Sequence, residues 1–332
     1  MSVTMRDVAR RAGVSIKTVS RVVNKQPETS PATRQRVLRA IDELGYRPSK
    51  IARALVTQRT DTIGLVMGDI SNPFFPEVAR GVLDTAQAKG YNVFLGNTGL
   101  TTQQELSLLQ SLADHAVDGI ILHPLYDSQE NLTKFAAHYR PLVVINSYFE
   151  HPNVSQVLTD NYQGAKLAVD YLIGQGHRAI AMLTGVQEPS ADRVRRIKAY
   201  CDSLTAHDMP IVDQWLMPNL TPTFESGYES AKQLLTQYPQ VSAIFAYNDL
   251  LALGAIRACH DLGRHVPNDC AIIGFDDIQW AATATPSLTT VHVDKYELGR
   301  QATTRLLDML NNPKKSFPPI YLDVQLIIRE SA

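Results

Sequence analysis

The sequence predicts an all-α helix-turn-helix head joined to an α/β core of two similar parallel-sheet lobes. The chain has 332 residues, which is too long for one ordinary domain. Residues 1–60 contain 13 Lys and Arg but 4 Asp and Glu, whereas the remaining residues contain 19 and 29. After residue 60, apolar strand-like runs alternate with helix-like runs. A basic head on an acidic core is typical of a nucleic-acid-binding module attached to a second domain.

The first two helices of the head are separated by a glycine-containing turn. Thr4 and Asp7 form a capping-box-like start, Gly13 breaks the first helix, and Ser15 can cap the second. The apolar residues recur at helical spacing and are expected to face inward: Met5, Val8, Ala9, Ala12, Val19, Val22 and Val23. The order of helix, turn and helix is the helix-turn-helix pattern.

The third helix of the head has clear start and stop signals. Ser30 is a capping residue, Pro31 is suited to the first helical position, and Gly45 ends the helix. Four apolar residues are expected to face inward: Val37, Leu38, Ile41 and Leu44. The head is therefore expected to fold as three short helices around a small apolar core.

The side chains at the start of the second helix bury little apolar area and are of types that can contact DNA bases and phosphates. In a helix-turn-helix this helix enters the major groove with its N-terminal residues at the base edges. Lys17 and Arg21 can read the acceptors of guanine, and Ile16 can contact a thymine methyl group. Polar residues are expected at phosphates, which position the head without specifying a sequence: Thr4, Ser15, Thr18, Ser20 and Asn24.

In the core, polar residues repeatedly follow apolar strands. Uniformly apolar runs such as TIGLVM and AIFAY are typical of parallel sheets covered on both faces, and the pattern restarts at Asn161. Ligands bind at the carboxyl ends of such strands. Those ends carry Asp69, Asn97, His123, Asn146, Thr184, Asn248 and Asp276. Two lobes of this kind can close over a small molecule, although polar residues also cap strand ends for structural reasons alone.

The chain resembles the LacI (lactose repressor) family of bacterial transcription regulators over nearly its whole length. The head carries MRDVARRAGVSIKTVSRVVN, TRQRVLRAIDELGYRPS and ARAL. The core carries DISNPFF, QGHRAIAMLTG, RRIKAY, AYNDLLALGAI, IIGFDD and PSLTTV. The resemblance implies a core similar to periplasmic sugar-binding proteins, with the effector between two lobes that are crossed by three linkers.

The resemblance also implies where the parts of the chain begin and end. Residues 1–48 are expected to form the DNA-binding domain, 49–60 a hinge helix and linker, and 61–332 the effector-binding and dimerisation core. The first lobe is expected at about 61–160 and 290–318, and the second lobe at about 161–289 and 319–332.

The hinge segment SKIARALVTQ is expected to fold on DNA, because so short a helix is marginal alone. In the family such a helix wedges a leucine into the minor groove, and here Ala52 and Leu55 occupy that segment. Ser49 stands where the family usually has Asn, and both are helix-capping residues. The alternative for Leu55 is packing of the linker against the core.

Matching motifs assign three effector-binding residues to this chain. Arg196 corresponds to the family's pocket arginine, Asn248 to the Asn of its ND pair, and Asp276 to the first Asp of GFDD. Neighbouring positions add the remaining candidates: Asn72, Phe74, Phe75, Asn146 and Asp160. This chemistry suits a polyol, because charged groups bind adjacent hydroxyls and an aromatic ring covers an apolar sugar face.

Several other classes of protein are disfavoured by the sequence. The longest apolar runs fall short of a membrane span, and MSVTMRDVAR has no apolar signal core. The three cysteines and nine histidines show no metal-ligand spacing, and no nucleophile motif occurs. We therefore expect a cytoplasmic protein without a metal, a cofactor or enzymatic activity.

The function predicted is that of a repressor released from operator DNA by a small sugar. Two-fold operators favour a homodimer, and the chain ends without the leucine-heptad tail of the family's tetramers. One alternative is a co-repressed regulator, whose ligand strengthens DNA binding. More remote alternatives are a sugar-binding protein that does not bind DNA and a sugar-modifying enzyme.

Overall fold

The structure is a computed structural model of the chain, and it separates into two compact units, Met1–Thr60 and Asp61–Ala332. It describes residues 3–23, 27–46, 59–114, 117–125, 129–139, 141–185, 191–218 and 220–332. Along these residues, no helix is both long enough and apolar enough to cross a membrane.

The described residues of the first unit contain three short helices, as predicted. They are α1 (Met5–Ala12), α2 (Ile16–Val23) and α3 (Pro31–Leu44). The Ser15 hydroxyl accepts a hydrogen bond from the Thr18 backbone N–H at the start of α2, and Ser30 accepts one from Thr33 at the start of α3. These side chains satisfy amides that have no partner inside their own helices.

One predicted core residue of the head faces solvent. Leu38 is 51% exposed, whereas Val37 is fully buried and Ala40 nearly so. Ala40, Ile41 and Leu44 follow Val37 at the spacing of one helix face, but Leu38 lies about a quarter turn away. The inward assignment of Leu38 was therefore wrong, and Ala40 takes its place beside Val19 and Tyr46 in the core.

The second unit contains two six-stranded sheets in the part of the chain that the structure describes. The strands are β1 Thr62–Met67, β2 Asn92–Asn97, β3 Gly119–Leu122, β4 Leu142–Ile145, β5 Val154–Thr159, β6 Ile180–Leu183, β7 Leu216–Met217, β8 Ala243–Ala246, β9 Ala271–Asp276, β10 Thr289–Val293, β11 Ile320–Leu322 and β12 Val324–Ile327. The order is β11-β5-β4-β3-β1-β2 in the first sheet and β12-β10-β9-β8-β6-β7 in the second. All pairs are parallel except β10 and β12.

Helices connect the strands and cover the sheets. They are α4 Phe74–Ala88, α5 Thr102–Asp114, α6 Gln129–His138, α7 Asn161–Gly174, α8 Ala191–Ala206, α9 Phe224–Gln237, α10 Asp249–Asp261, α11 Gln279–Thr283 and α12 Lys295–Asn311. A short 3-10 helix, Asp213–Trp215, precedes β7. The observed architecture confirms the predicted fold class of a helical head and two parallel-sheet lobes.

The chain crosses between the lobes three times, and two of the crossings lie a few residues from the predicted positions. Strand β10 pairs with β9 and belongs to the second lobe, so the return to the first lobe occurs after Val293 rather than near 290. Strand β11 pairs with β5 in the first lobe, so the last crossing follows Leu322 rather than 318. The first lobe thus comprises about 61–159 and 295–322.

Each sheet has a topological switch point beside its first strand in chain order. Within each lobe the first strand has the second on one side and the third on the other, as in β2-β1-β3 and β7-β6-β8. Connections leave these neighbouring strands in opposite directions, which opens a crevice at their carboxyl ends. The residues that follow β1 and β3 in the first lobe, and β6 and β8 in the second, are therefore the ones that the fold offers to a ligand, and the end of β9 lies beside that of β8.

Glycines set the spacing of two helix pairs, α4 with α12 and α9 with α10. A Cβ added at Gly299 would lie 2.1 Å from the Val78 carbonyl oxygen, and one at Gly254 would lie 2.2 Å from the Phe224 carbonyl oxygen. Backbone atoms cannot move aside as a flexible side chain does. Each pair therefore packs at a distance that only glycine permits.

Gly299→Ala is expected to lower the free energy of unfolding by about 1–3 kcal/mol, because the new methyl group forces α4 and α12 apart. Gly174→Ala is the control, since a Cβ there meets no atom within 4 Å and alanine favours the helix. Urea unfolding of both variants measures the difference. A Gly299→Ala midpoint equal to that of Gly174→Ala would contradict the close contact.

Candidate functional site

The exposed start of α2 presents the three predicted base-contacting residues. Ile16 is 45% exposed, Lys17 is also exposed, and Arg21 is half-buried one turn further along. Arg21 forms an ion pair with Glu28, with a nitrogen–oxygen distance of 3.0 Å. The guanidinium must leave this partner, or share it, before it can reach a base edge.

The predicted phosphate-binding hydroxyls already have partners at the helix starts. Both the backbone N–H and the hydroxyl of Thr4 donate to the Asp7 carboxylate, at 3.0 and 2.7 Å. The Ser15 and Thr18 hydroxyls lie 2.9 Å apart. Ser20 is half-buried on α2. These groups stabilise the helices that present the surface.

Three of the predicted DNA-contacting residues lie outside the described residues. They are Asn24, which follows α2, and Ala52 and Leu55 of the hinge segment. The hinge proposal therefore depends on sequence alone.

A cavity of about 290 Å³ lies between the two lobes of the core, at the carboxyl ends of their strands. Seven of the eight predicted effector-binding residues line it: Asn72, Phe74, Phe75, Asn146, Arg196, Asn248 and Asp276. The switch-point geometry accounts for this convergence, because residues far apart in sequence end strands at facing edges.

Asp160 is the predicted residue that does not line this cavity. Its carboxylate accepts a hydrogen bond from the Gln163 backbone N–H, 3.0 Å away, and caps α7 directly after the first crossing between the lobes. Although Asp160 lies near a crossing between the lobes, its side chain caps the start of α7 and does not enter the cleft.

Arg196 is the central cation of the cavity, but it is largely engaged within the second lobe. Its side chain projects from α8 and is 5% exposed. Nε donates to Asn161 Oδ1 at 2.9 Å, and Nη1 donates to the Tyr247 carbonyl oxygen. The guanidinium lies 3.5 Å from the centroid of the Phe275 ring and 4.5 Å from that of Tyr247. Only its remaining edge is available to a ligand.

Asp276 is a buried carboxyl group at the end of β9. Burial raises the pKa of Asp276 to about 7, although Arg196 and Lys295 act in the opposite direction. Its backbone φ is +110°, and that of Asn146 is +52°, which non-glycine residues rarely adopt. Strain of this kind together with a displaced pKa is typical of binding sites.

The Lys295 ammonium holds the backbone beside Asp276. The side chain is 2% exposed and donates to the carbonyl oxygens of Asp276, Asp277 and Val293, at 2.7, 2.9 and 3.2 Å. Since Lys295 begins α12 in the first lobe and Asp276 ends a strand of the second, this contact links the cavity to a crossing between the lobes.

Aromatic rings form the wall of the cavity on the first-lobe side. Phe74 and Phe75 meet edge to face, with ring centroids 5.3 Å apart, and Phe75 meets His123 in the same way at 5.0 Å. Burial lowers the pKa of His123, so its imidazole is neutral at pH 7. Such a wall can cover an apolar face of a ligand.

The three asparagines are partly engaged in local structure. Asn72 accepts from the Phe74 N–H, Asn146 accepts from both the N–H and the hydroxyl of Thr159, and Asn248 accepts from the Leu251 N–H as the cap of α10. These bonds fix the carbonyl oxygens of the asparagine side chains. The amide nitrogen of Asn248 donates to the Pro222 carbonyl oxygen at 3.4 Å, so among the described residues those of Asn72 and Asn146 remain for a ligand.

The cavity also contains Asp192, which the sequence did not single out, and Trp280, whose position after GFDD made it a candidate for the pocket or for packing. Asp192 lies one turn before Arg196 on α8 and accepts a hydrogen bond from the Tyr247 hydroxyl. The spacing of four residues on a helix predicts that Asp192 and Arg196 share a face, and this signal would have identified Asp192. Trp280 lines the cavity as well and is half-exposed. Within the described ranges no cluster of side chains could hold a metal ion.

Comparison with known proteins accounts for both units. Residues 4–49 match the family described as bacterial regulatory proteins, lacI family, and residues 169–332 match the periplasmic binding protein-like domain. Catabolite control protein A of Priestia megaterium is 36% identical over 331 residues, which cover 100% of this chain and 99% of that protein.

The chain belongs to the lacI family of bacterial regulatory proteins.

Two solved structures of regulators extend the similarity to the fold. The transcriptional regulator CelR in complex with cellobiose has a TM-score of 0.75 and 32% identity, and the match covers 99% of this chain and 100% of that one. The lac repressor dimer bound to operator and the anti-inducer ONPF has a TM-score of 0.87 and 26% identity, over 100% and 99%. This chain is thus a DNA-binding transcription regulator with a helix-turn-helix head and a periplasmic-binding-protein-like core.

Proposed function

We propose that this regulator is a repressor that binds a two-fold operator as a homodimer and is released from it by a small sugar. The observation that carries the proposal is the cavity between the lobes, in a chain that also has a helix-turn-helix head. Similar regulators bind cellobiose, or operator DNA as a dimer, which supports both halves of the proposal. With DNA as its partner, the protein is expected to act in the cytoplasm.

In this proposal α2 reads the operator. Ile16 and Lys17 are exposed at its start, where a recognition helix meets base edges. Arg21 binds guanine after its ion pair with Glu28 is broken. The DNA phosphates are contacted by Thr4, Ser15, Thr18, Ser20 and Asn24. Residues 49–58 are proposed to fold on the operator, with Ala52 and Leu55 at the minor groove.

The effector is proposed to bind between the lobes and to bias how they close. Arg196 and Asp276 come from the second lobe, whereas Phe74, Phe75 and Asn146 come from the first. A ligand that contacts both lobes stabilises one closure over another, and can shift the equilibrium only by its difference in affinity for the two states. Release follows when the favoured closure no longer lets both heads of the dimer fit the operator.

Arg21→Ala is expected to relax operator specificity at one position in each half-site and to cost about 1–3 kcal/mol there. Arg10→Ala is the control, since Arg10 is exposed on α1 and pairs only at 3.7 Å, with Asp7. The measurement is binding to operator variants changed one base pair at a time. If Arg21→Ala weakened binding to every variant equally, Arg21 would be a phosphate contact.

Co-repression is the second candidate, because the same cavity would serve a ligand that strengthens DNA binding. The sign of the ligand's effect on operator affinity separates the two. The enzyme and the DNA-independent binding protein are disfavoured by the family relationship, since the similar proteins named above are regulators.

A further inference from the structure

The turn at the end of β9 has an uncommon backbone conformation. The φ angle is +110° at Asp276 and +54° at Asp277, and non-glycine residues rarely adopt either value. Two such residues in succession persist only where surrounding groups hold them in place. Because the Asp276 side chain lines the cavity, the groups that hold this turn also position a residue of the binding site.

Three contacts hold the turn from within the second lobe. The Asp277 carboxylate accepts hydrogen bonds from Arg329 and His292, at 2.7 and 2.8 Å. The Asp249 carboxylate accepts one from the Ile278 backbone N–H at 2.7 Å. Since these groups belong to the same lobe as the turn, they stay with it when the lobes move.

Lys295 holds the same turn from the first lobe. An ammonium group has three donors, and three carbonyl oxygens of the second lobe take them, those of Asp276, Asp277 and Val293. The carboxylate with which Lys295 pairs, that of Glu77, is 3.7 Å away and half-exposed, although Lys295 itself is 2% exposed. Most of the binding capacity of this buried cation is therefore spent on backbone atoms of the other lobe.

The backbone of Lys295 is fixed to the body of the first lobe. Lys295 begins α12, and the preceding Asp294 caps that helix by accepting from the Glu297 N–H at 2.8 Å. Helix α12 packs against α4 at the distance that Gly299 permits, and α4 begins with Phe74 of the cavity wall. A movement of the first lobe relative to the second therefore moves the ammonium relative to the carbonyl oxygens that it binds.

We propose that Lys295 is the positioning residue that couples the cavity to the movement of the lobes. Its ammonium holds the turn at Asp276 and Asp277 in the conformation that binds the effector, and it does so in one arrangement of the lobes. An effector that binds Asp276 stabilises this turn and thereby favours that arrangement. The inference rests on the proposed function, because it names the residue that connects the cavity to the response. It does not depend on whether the ligand releases or strengthens operator binding.

Hydrogen exchange of the ligand-free protein tests whether Lys295 holds the turn. In Lys295→Met we expect the Asp277 and Ile278 amides to exchange at least about tenfold faster than in the wild type, because charged hydrogen bonds to the turn are lost. Lys134→Met is the control, since Lys134 is an exposed lysine of the first lobe that pairs with Glu130 on its own helix. Equal exchange in Lys295→Met and the wild type would overturn the proposal.

The coupling itself is measured with an operator duplex selected from random DNA. Glucose, ribose and cellobiose are the probes, and the sugar that raises Tm is used at a saturating concentration for each variant. We expect sugar to change the operator Kd of the wild type by about 5–150-fold and that of Lys295→Met by less than about twofold, with similar operator Kd values for the two proteins without sugar. Coupling as large as in the wild type would make Lys295 a structural residue only and would overturn the proposal.

The pH dependence of sugar binding is a second readout, which a structural role alone would not change. Burial raises the pKa of Asp276 to about 7, and Arg196 and Lys295 act against burial. The charged groups that face Asp276 come from four helices: Asp192 and Arg196 on α8, Glu77 on α4, Asp249 on α10 and Lys295 on α12. Without the ammonium the pKa of Asp276 rises further, so the loss of sugar affinity on acidification should begin at a higher pH in Lys295→Met. An unchanged midpoint would contradict the proposal.

Lys295→Gln provides the same tests if Lys295→Met does not fold. Its amide is neutral but can still donate to the carbonyl oxygens, so we expect exchange and coupling between those of the wild type and those of Lys295→Met. Wild-type exchange and coupling in Lys295→Gln would overturn the proposal. If no sugar changes the operator Kd of the wild type, the proposed function fails, whereas faster exchange in the variants would still support the contact between Lys295 and the turn.

Discussion

Asp276→Asn is expected to yield a more stable regulator that responds to its effector only at concentrations at least about tenfold higher. Burial raises the pKa of Asp276 to about 7, so at pH 8 the folded protein holds an ionised carboxylate that would be better solvated in the unfolded chain. Because the pKa is higher in the folded state, this carboxyl group destabilises the fold increasingly as the pH rises from about 4 to 7. The asparagine removes that cost, and we expect a gain of about 1–3 kcal/mol at pH 8 that disappears near pH 4.

The same substitution should weaken effector binding by about 1.5–3 kcal/mol, because a charge-assisted hydrogen bond becomes a neutral one. Wild-type affinity should fall as the pH drops below 7, by at most tenfold per pH unit, since proton binding competes with the ligand's hydroxyls. The affinity of Asp276→Asn should not change over this range. Calorimetry between pH 5.5 and pH 8 measures both.

Asp277→Asn is the control, and its effect on stability has the opposite sign. Burial alone would raise the pKa of Asp277, but hydrogen bonds from Arg329 and His292, at 2.7 and 2.8 Å, outweigh it and lower the pKa. This carboxylate therefore stabilises the fold at neutral pH, and that contribution is lost as the pH falls through its pKa. If both variants changed the free energy of unfolding in the same direction at pH 8, the ionised Asp276 carboxylate would not destabilise the fold, and its assignment as a binding group would lose this support.

Arg196→Ala is expected to abolish the effector response and to lower the free energy of unfolding by about 3–5 kcal/mol. The stability loss arises because Asn161 and the Tyr247 carbonyl oxygen lose a charged donor, worth about 1.5–3 kcal/mol each, and because the stacking on Phe275 is lost. Operator binding should persist well below the unfolding temperature, since Arg196 lies in the core unit. The protein would act as a permanent repressor at low temperature.

Arg195→Ala provides the control from the same helix. Arg195 stacks over the Tyr148 ring at 3.8 Å and does not line the cavity, so its loss should cost about 1 kcal/mol and leave effector binding intact. Urea unfolding and calorimetry on the two variants give the comparison. If Arg196→Ala bound effector as the wild type does, Arg196 would be part of the scaffold, and the ligand would bind elsewhere.

Much of the cavity could be predicted because it combines two strong local signals. Apolar strands of the type β1, β8 and β9 are unmistakable, and a parallel sheet fixes where their last residues lie. Asn146 and Asp276 therefore appear at the site from strand ends alone. Arg196 lies on a helix, and the resemblance of RRIKAY to a family motif was required to identify it.

The parts that were missed have weak or misleading sequence signals. Strand β5, VSQVLT, is buried throughout, yet half of its residues are polar, so it lacks the apolar run that marks the other strands. Burial is tolerated because Ser155 accepts a hydrogen bond from Arg305 and Gln156 donates one to the Phe149 carbonyl oxygen. The run IYLDVQLII has the pattern of one strand, but Asp323 separates β11 in the first sheet from β12 in the second. His123 was noted as a strand end, but only the structure reveals that its ring lies edge to face against Phe75 in the cavity wall.

The most direct test of the account is an operator titration with and without the effector. The full chain is bound to a two-fold duplex selected from random DNA. Fluorescence anisotropy then gives the operator Kd in the presence and absence of a sugar that a thermal-shift screen shows to raise Tm. We predict that saturating sugar raises the operator Kd of the wild type by about 5–150-fold, which corresponds to about 1–3 kcal/mol of coupling. At a sugar concentration equal to the wild-type Kd for that sugar, Asp276→Asn should bind the operator as tightly as the sugar-free wild type and show almost no change. An operator Kd that sugar leaves unchanged or lowers in the wild type would contradict a repressor released by a ligand in this cavity.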